Sequence, residues 1–149
     1  MARIRFEEAD CPIARATNLM GDSWTPVLMR EAFFGRRRFD EFQEALSVSR
    51  SVLSQRLSRL VEEGLLEKRA YEDRPPRFEY ILTRKGRAFY PVLAAMLRFG
   101  EDWLWDEGSE PPLQLLDRET GEPVVPLVVN EKTGEPIDVR NVRLGRRRG

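Results

Sequence analysis

The 149-residue chain contains no histidine. The commonest general base and the commonest metal ligand are therefore missing. That excludes a Ser-His-Asp hydrolase and a Cys-His enzyme. The one cysteine, Cys11, leaves no internal disulfide and no cysteine-based zinc site. No apolar run approaches the ~20 residues that span a bilayer. The start, MARIRFEEAD, has no apolar segment of the signal-peptide kind. A cytoplasmic location and no membrane are the default expectations. Neither a Walker loop nor a GxGxxG pattern occurs. No enzyme is expected, and with it no catalytic residue, no metal and no cofactor.

Net charge is absent too, since 25 basic residues balance 25 acidic ones. The balance is not uniform. Residues 36–100 hold 14 basic and 9 acidic side chains, and residues 101–149 hold 7 and 11. A basic centre therefore sits ahead of an acidic tail, and a polyanion responds to such a local field.

The centre contains SRSVLSQRLSRLVEEG, Ser49 to Gly64. Leu53, Leu57, Leu60 and Val61 recur at helical spacing and form a stripe for a core. Ser49 is placed to cap the first turn and Gly64 to end the last. Ser51, Ser54, Gln55, Ser58 and Arg59 fall on the other side. A solvated face usually mixes Glu with Lys, whereas this stretch carries small hydroxyls, an amide and Arg50, Arg56 and Arg59. Both of its carboxylates wait until Glu62 and Glu63. Glutamine pairs bidentately with adenine, and arginine with guanine or phosphate. An ordinary amphipathic surface helix has the same periodicity, so the neighbours must decide.

Upstream, CPIARATNL reads as a first helix with Asp10 as its cap and Pro12 in its first turn. SWTPVLMREAFF reads as a second, capped by Ser23, with Trp24, Val27, Leu28, Ala32 and Phe34 as core. Arg36, Arg37 and Arg38 come next, close to the polar helix and able to touch phosphates. Phe39 is expected to point inward from a short extended segment. Asp40 and Gln43 then form a capping box for DEFQEAL. Only Ser47 and Val48 separate that helix from Ser49, the short connection of a helix-turn-helix. The second helix of such a pair enters the major groove.

Beyond Gly64 the period becomes two. LLEKRAYE and RFEYILT read as a hairpin with prolines at its tip. Tyr80 and Leu82 face the core, while Arg74 and Arg77 project from the tip, either keeping the turn soluble or, as favoured here, reaching a sugar-phosphate backbone or the minor groove. Thr83 caps a long last helix, kinked at Pro91. Its Phe89, Val92, Leu93, Met96, Leu97, Phe99, Trp103 and Leu104 exceed what a small core needs. The same helix of a second copy, with the first helix added, would cover them. In the tail, DRETGEPV at Asp117 repeats as NEKTGEPI at Asn130, each a turn, with Val124 to Val129 as a strand between them. The closing GRRRG offers weak phosphate attraction at most.

The fold expected is α+β, mainly α: a winged helix-turn-helix with a long C-terminal dimerisation helix and a small β-meander tail. The domain expectation is 1–108 for DNA binding and dimerisation and 109–149 for the extension.

These residues resemble one family. The opening Cys-Pro, the Gly-x-x-Trp, the Arg-Arg-Phe before the third helix, Leu-Ser-x-Arg-Leu and Pro-Pro-Arg-x-Glu-Tyr are similar to the HxlR-type bacterial regulators over about residues 9–105. The resemblance implies a homodimer, through the first and last helices, on a pseudo-palindromic double-stranded DNA operator. It implies Arg50, Ser51, Ser54, Gln55 and Arg59 on the recognition surface and Arg74 and Arg77 on the wing. Arg56, Arg37 and Arg38 complete the DNA-binding set expected from their positions. In some members the cysteine matching Cys11 senses oxidants, quinones or aldehydes. Some members carry paired Cys-x-x-Cys zinc knuckles in the tail. Here Glu119-Thr120-Gly121 and Lys132-Thr133-Gly134 stand in their place, which makes a metal implausible.

The function expected is a sequence-specific transcriptional regulator, controlled by a small molecule or by chemistry at Cys11. Trp24, Phe89 and Trp103 are the aromatics that would line an effector pocket; plain core is the alternative. The rival class is a winged-helix protein-interaction module that does not bind DNA. Pairing of Arg50, Arg56, Arg59, Arg74 and Arg77 with internal carboxylates would favour it.

Overall fold

The computed structural model describes residues 6, 7 and 9–147, so Arg148 and Gly149 of the basic end, and all but Phe6, Glu7, Ala9 and Asp10 of the opening ten residues, lie outside the described residues. The chain divides into two units, Met1–Tyr90 and Pro91–Gly149.

The first unit begins with α1 (Pro12–Met20), α2 (Trp24–Phe33), α3 (Phe39–Leu46) and α4 (Arg50–Glu62). Cys11, not Asp10, is the N-cap of α1. Pro12 at the first helical position forces the residue before it to be extended, and Cys11 has φ −154° and ψ 116°. Helix α2 is capped by Asp22 rather than Ser23. The Asp22 carboxylate accepts from the backbone N–H of Trp24 and of Thr25, while the Ser23 side chain makes no cap bond. Asp40 and Gln43 do not cap α3. Arg38 occupies that position, and Glu41 reaches back to accept from its N–H at 2.9 Å and from that of Arg37 at 2.8 Å. These bonds hold the Glu41 carboxyl below its ordinary value. Gln43 instead donates to the Val48 carbonyl across the turn into α4.

Helix α4 matches its sequence. Ser49 accepts from the Val52 N–H, Gly64 takes φ +74°, and Leu65 N–H returns to the Leu60 carbonyl. Leu53, Leu57 and Leu60 are buried together with Leu28, Met29, Phe42, Leu65 and Leu66. Phe34, expected in this core, is exposed.

Strands β1 (Leu66–Asp73) and β2 (Pro76–Leu82) form the wing, an antiparallel pair with Leu66 opposite Leu82 and Ala70 opposite Phe78. The register shifts between Ala70 and Glu72. The short strand expected before α3 is reduced to a single bond, from Tyr80 N–H to the Arg37 carbonyl at 2.7 Å. Tyr80 is buried, with its ring edge-on to Phe42, and burial pushes its hydroxyl pKa up. Thr83 ties the end of the wing to the next helix. Its hydroxyl accepts from the Gly86 N–H and donates to the Gly64 carbonyl. Gly86 packs so close that a Cβ there would collide with the Leu65 carbonyl oxygen.

The last helix breaks earlier than expected. Helix α5 (Arg84–Ala88) ends at Phe89, and α6 (Tyr90–Trp103) begins at the next residue. Pro91 cannot donate to the carbonyl four residues back, and its ring crowds that carbonyl. The chain tightens just before it, with Phe89 N–H on the Gly86 carbonyl.

Most of α6 belongs to the second unit, and none of its residues is buried. Phe99 is 58% exposed and Trp103 75%. In the tail, β3 (Leu115–Leu116) pairs with β4 (Pro123–Val124), and Val129 bridges Pro136. The strand expected over residues 124–129 therefore survives only at its ends, since Pro126 lacks the donor a ladder needs. The two repeats close alike. Gly121 and Gly134 both take φ +72°, donating to the carbonyls of Asp117 and Asn130. Asp117 also accepts from the N–H groups of Thr120 and Glu119, which lowers its pKa. Among the described residues no group of three His, Cys, Asp or Glu side chains could hold a metal ion.

Candidate nucleic-acid interface

The leucine spacing that buries one side of α4 leaves Ser51, Ser54, Gln55 and Ser58 exposed on the other. None of these four makes a side-chain bond within the described residues, and each is short enough to allow close approach to another surface. At the start of the same row stands Arg50, whose side chain is 73% exposed. Its guanidinium lies over the Phe39 ring, 4.7 Å from the centroid, and 3.6 Å from the exposed Asp40 carboxylate.

Arg56 and Arg59 are not on this face. Both reach Asp22 Oδ2, from Arg56 Nη1 at 2.5 Å and from Arg59 Nη1 at 3.3 Å. Arg59 Nη2 also donates to the Asn18 carbonyl at 3.0 Å. The helix period allows either direction: Arg56 flanks the buried stripe between Leu53 and Leu60, and Arg59 lies one turn along the same side. Asp22, just ahead of α2, is the partner that draws both inward.

The remaining arginines differ in the same way. Arg36 and Arg30 both pair with Glu31, a carboxylate buried in α2. Arg37 and Arg38 are exposed, and the Arg38 guanidinium lies 4.9 Å from the centre of the Tyr71 ring on the wing. Arg74 is exposed at the wing tip and Arg77 is the second residue of β2, with an exposed Glu72 at 3.4 Å. Sequence reasoning gave no role to Glu31 or Tyr71.

Of the other candidate residues, Cys11 is exposed at the start of α1. Among the aromatics considered for a ligand pocket, Phe89 is buried, Trp24 is half-buried and Trp103 is exposed.

A helix-turn-helix whose second helix bears a bare polar row, followed by a hairpin, defines a winged helix-turn-helix protein. The match to known proteins narrows this. Residues 19–107 fit the family model described as HxlR-like helix-turn-helix. The chain belongs to that family of transcriptional regulators, which are not enzymes. It is 38% identical over 138 residues to an uncharacterized HTH-type transcriptional regulator, Rv3095, of Mycobacterium tuberculosis strain H37Rv, covering 93% of this chain and 85% of that one. A solved structure of PA1607, a candidate transcription factor, superposes with a TM-score of 0.86 at 34% identity, over 97% of this chain and 100% of the other. The reduced form of the redox regulator HypR superposes with a TM-score of 0.58 at 29% identity, over 62% of this chain and 92% of the other. No helix among the described residues is long and apolar enough to cross a membrane.

Proposed function

We propose that the protein is a homodimeric, sequence-specific DNA-binding regulator that lays α4 in the major groove. The bare row of α4 carries this reading: Ser51, Ser54 and Gln55 exposed beside Arg50, with no carboxylate on that row before Glu62. The first residues of a recognition helix are the ones that meet base edges. Arg50 and Gln55 suit guanine and adenine, and the serines suit either. Arg37, Arg38, Arg74 and Arg77 are assigned to phosphates, which fix register rather than sequence.

The interaction-module reading draws support from Arg56 and Arg59, which pair with an internal carboxylate. It is the weaker reading because of the other pairs. Arg50 with Asp40 and Arg77 with Glu72 are exposed at both ends, and such pairs contribute little and exchange readily. A phosphate can displace either carboxylate.

Dimerisation through α1 and α6 is inferred from their exposed apolar side chains, Ile13 on α1 and Val92, Met96, Phe99 and Trp103 on α6. Two recognition helices in successive major grooves stand ~34–36 Å apart. Control through Cys11 is proposed on its exposure at a helix start, with the redox regulator HypR among the similar structures.

Fluorescence anisotropy with duplexes selected from a random pool tests the function. Log affinity is expected to fall with log salt by about 0.9 per neutralised phosphate. Binding that ignores salt, or a pool from which no sequence is enriched, overturns the reading.

A further inference from the structure

The two oxygens of Asp22 hold three helices. Oδ1 accepts from the N–H groups of Trp24 at 3.0 Å and Thr25 at 3.2 Å, closing the start of α2. Oδ2 receives Arg56 and Arg59 from α4. Arg59 passes the connection on to the Asn18 carbonyl in the last turn of α1. The cluster is largely withdrawn from solvent, with side-chain exposures of 14% for Asp22, 28% for Arg56 and 22% for Arg59. Among the described residues Arg56 Nε is buried without an acceptor, and the bond of Nη1 to Asp22 anchors that side chain.

We infer that Asp22 is a positioning residue for DNA readout, acting through Arg56 and Arg59 to set the rotation of α4 about its own axis. The inference rests on the DNA-binding reading above. Leu53, Leu57 and Leu60 hold α4 to the core, but apolar packing is non-directional and permits small rotations. Charge-assisted hydrogen bonds are directional and strong. Two of them, one turn apart on one flank and ending on one oxygen, restrict both rotation and sliding. Bidentate base recognition needs that restriction, since a hydrogen bond weakens steeply away from its preferred distance and angle. The clamp also makes the α1–α2 turn part of the reading apparatus, although no residue of that turn is assigned to DNA.

Asp22→Asn separates the two roles. Asparagine caps a helix about as well as aspartate does, so the start of α2 is kept while the counter-charge to both arginines is lost. The freed guanidinium groups then turn to water or to phosphate. The measurement is the affinity of the full-length variant for a duplex enriched by the wild-type protein, beside a scrambled duplex of the same composition. Circular dichroism reports the folded fraction. The enriched duplex is expected to lose about tenfold in affinity, the scale of a mismatched base pair, while the scrambled duplex binds as well as before or better. Arg59→Gln, a milder lesion that frees only the Asn18 carbonyl and one bond to Asp22, is expected to lose about threefold on the enriched duplex alone. It also serves if Asp22→Asn does not fold.

Equal losses on both duplexes overturn the clamp, because they are what a phosphate-contacting Arg59 or a merely unstable domain would give. An unchanged ratio overturns it as well. A wild-type protein that prefers no duplex overturns instead the DNA-binding reading, and the clamp falls with it.

Discussion

Helices α4 and α6 are both amphipathic and nearly equal in length, with 13 and 14 residues, yet they leave opposite faces bare. In α4 the leucines are buried and the polar row is exposed. In α6 no residue is buried, and Val92, Met96, Phe99 and Trp103 stand in solvent. A polar row on a finished core suits a polar ligand. An apolar row without a core suits another apolar surface, and contiguous exposed patches of that kind mark association sites. The two helices thus divide the proposed work, one reading DNA and the other joining two readers.

The strongest way to break this comparison is to cut the same kind of side chain from each helix. Leu57→Ala in α4 removes a fully buried residue and is expected to cost about 2–5 kcal/mol of stability in urea unfolding. Phe99→Ala in α6 is expected to leave the folding of a dilute monomer nearly unchanged. It should instead weaken self-association by about 2 kcal/mol or more, read by sedimentation equilibrium. A Phe99 variant as unstable as Leu57→Ala would mean that α6 is covered within its own chain, and the contrast would fail.

Gln55→Ala tests the polar row in the same spirit. The expected effect is a loss of roughly 1–3 kcal/mol of discrimination at one base pair, with stability and dimerisation intact. Selection from a pool randomised at each operator position would show it as one position losing its preference. A uniform loss at every position would move Gln55 from readout to phosphate contact.

The smallest effect concerns Glu41, which shapes the turn before α3 rather than either face. Its carboxyl is held below its ordinary value of 4.5, chiefly by the N–H groups of Arg38 and Arg37. A depressed folded pKa gives stability that is present above the unfolded value and lost as pH falls through the folded one. Urea midpoints of wild type and Glu41→Gln should therefore differ at pH 7 and converge well below pH 4.5. A gap that persists in acid would assign the difference to packing.

Much of the first unit was legible in the residues. The Leu53, Leu57, Leu60 spacing, Ser49 before it and Gly64 after it determine α4 locally, because period and caps act within one or two turns. The hairpin was legible for the same reason, from alternation on either side of a proline-containing tip. The caps of α1, α2 and α3 fall one or two positions from where the sequence places them. Several nearby polar side chains compete for the same free N–H groups, and the winner is the one the backbone places in reach, Asp22 at α2 and Glu41 at α3. At α1 no side chain makes a cap bond, and Pro12 sets the extended Cys11 before it.

The candidate site was legible by residue type but not by direction. Arg50, Arg56 and Arg59 are indistinguishable as residues in one helix. Sequence by itself determined that α4 is amphipathic, that its carboxylates are held to its far end, and that the chain has no histidine and a single cysteine. These depend on composition and on the helical period alone. Tertiary structure decided which arginines remain available. An arginine side chain is long enough to turn either way, and only the arrival of Asp22 from the α1–α2 turn, with Asn18 behind it, draws Arg56 and Arg59 inward and leaves Arg50 facing out.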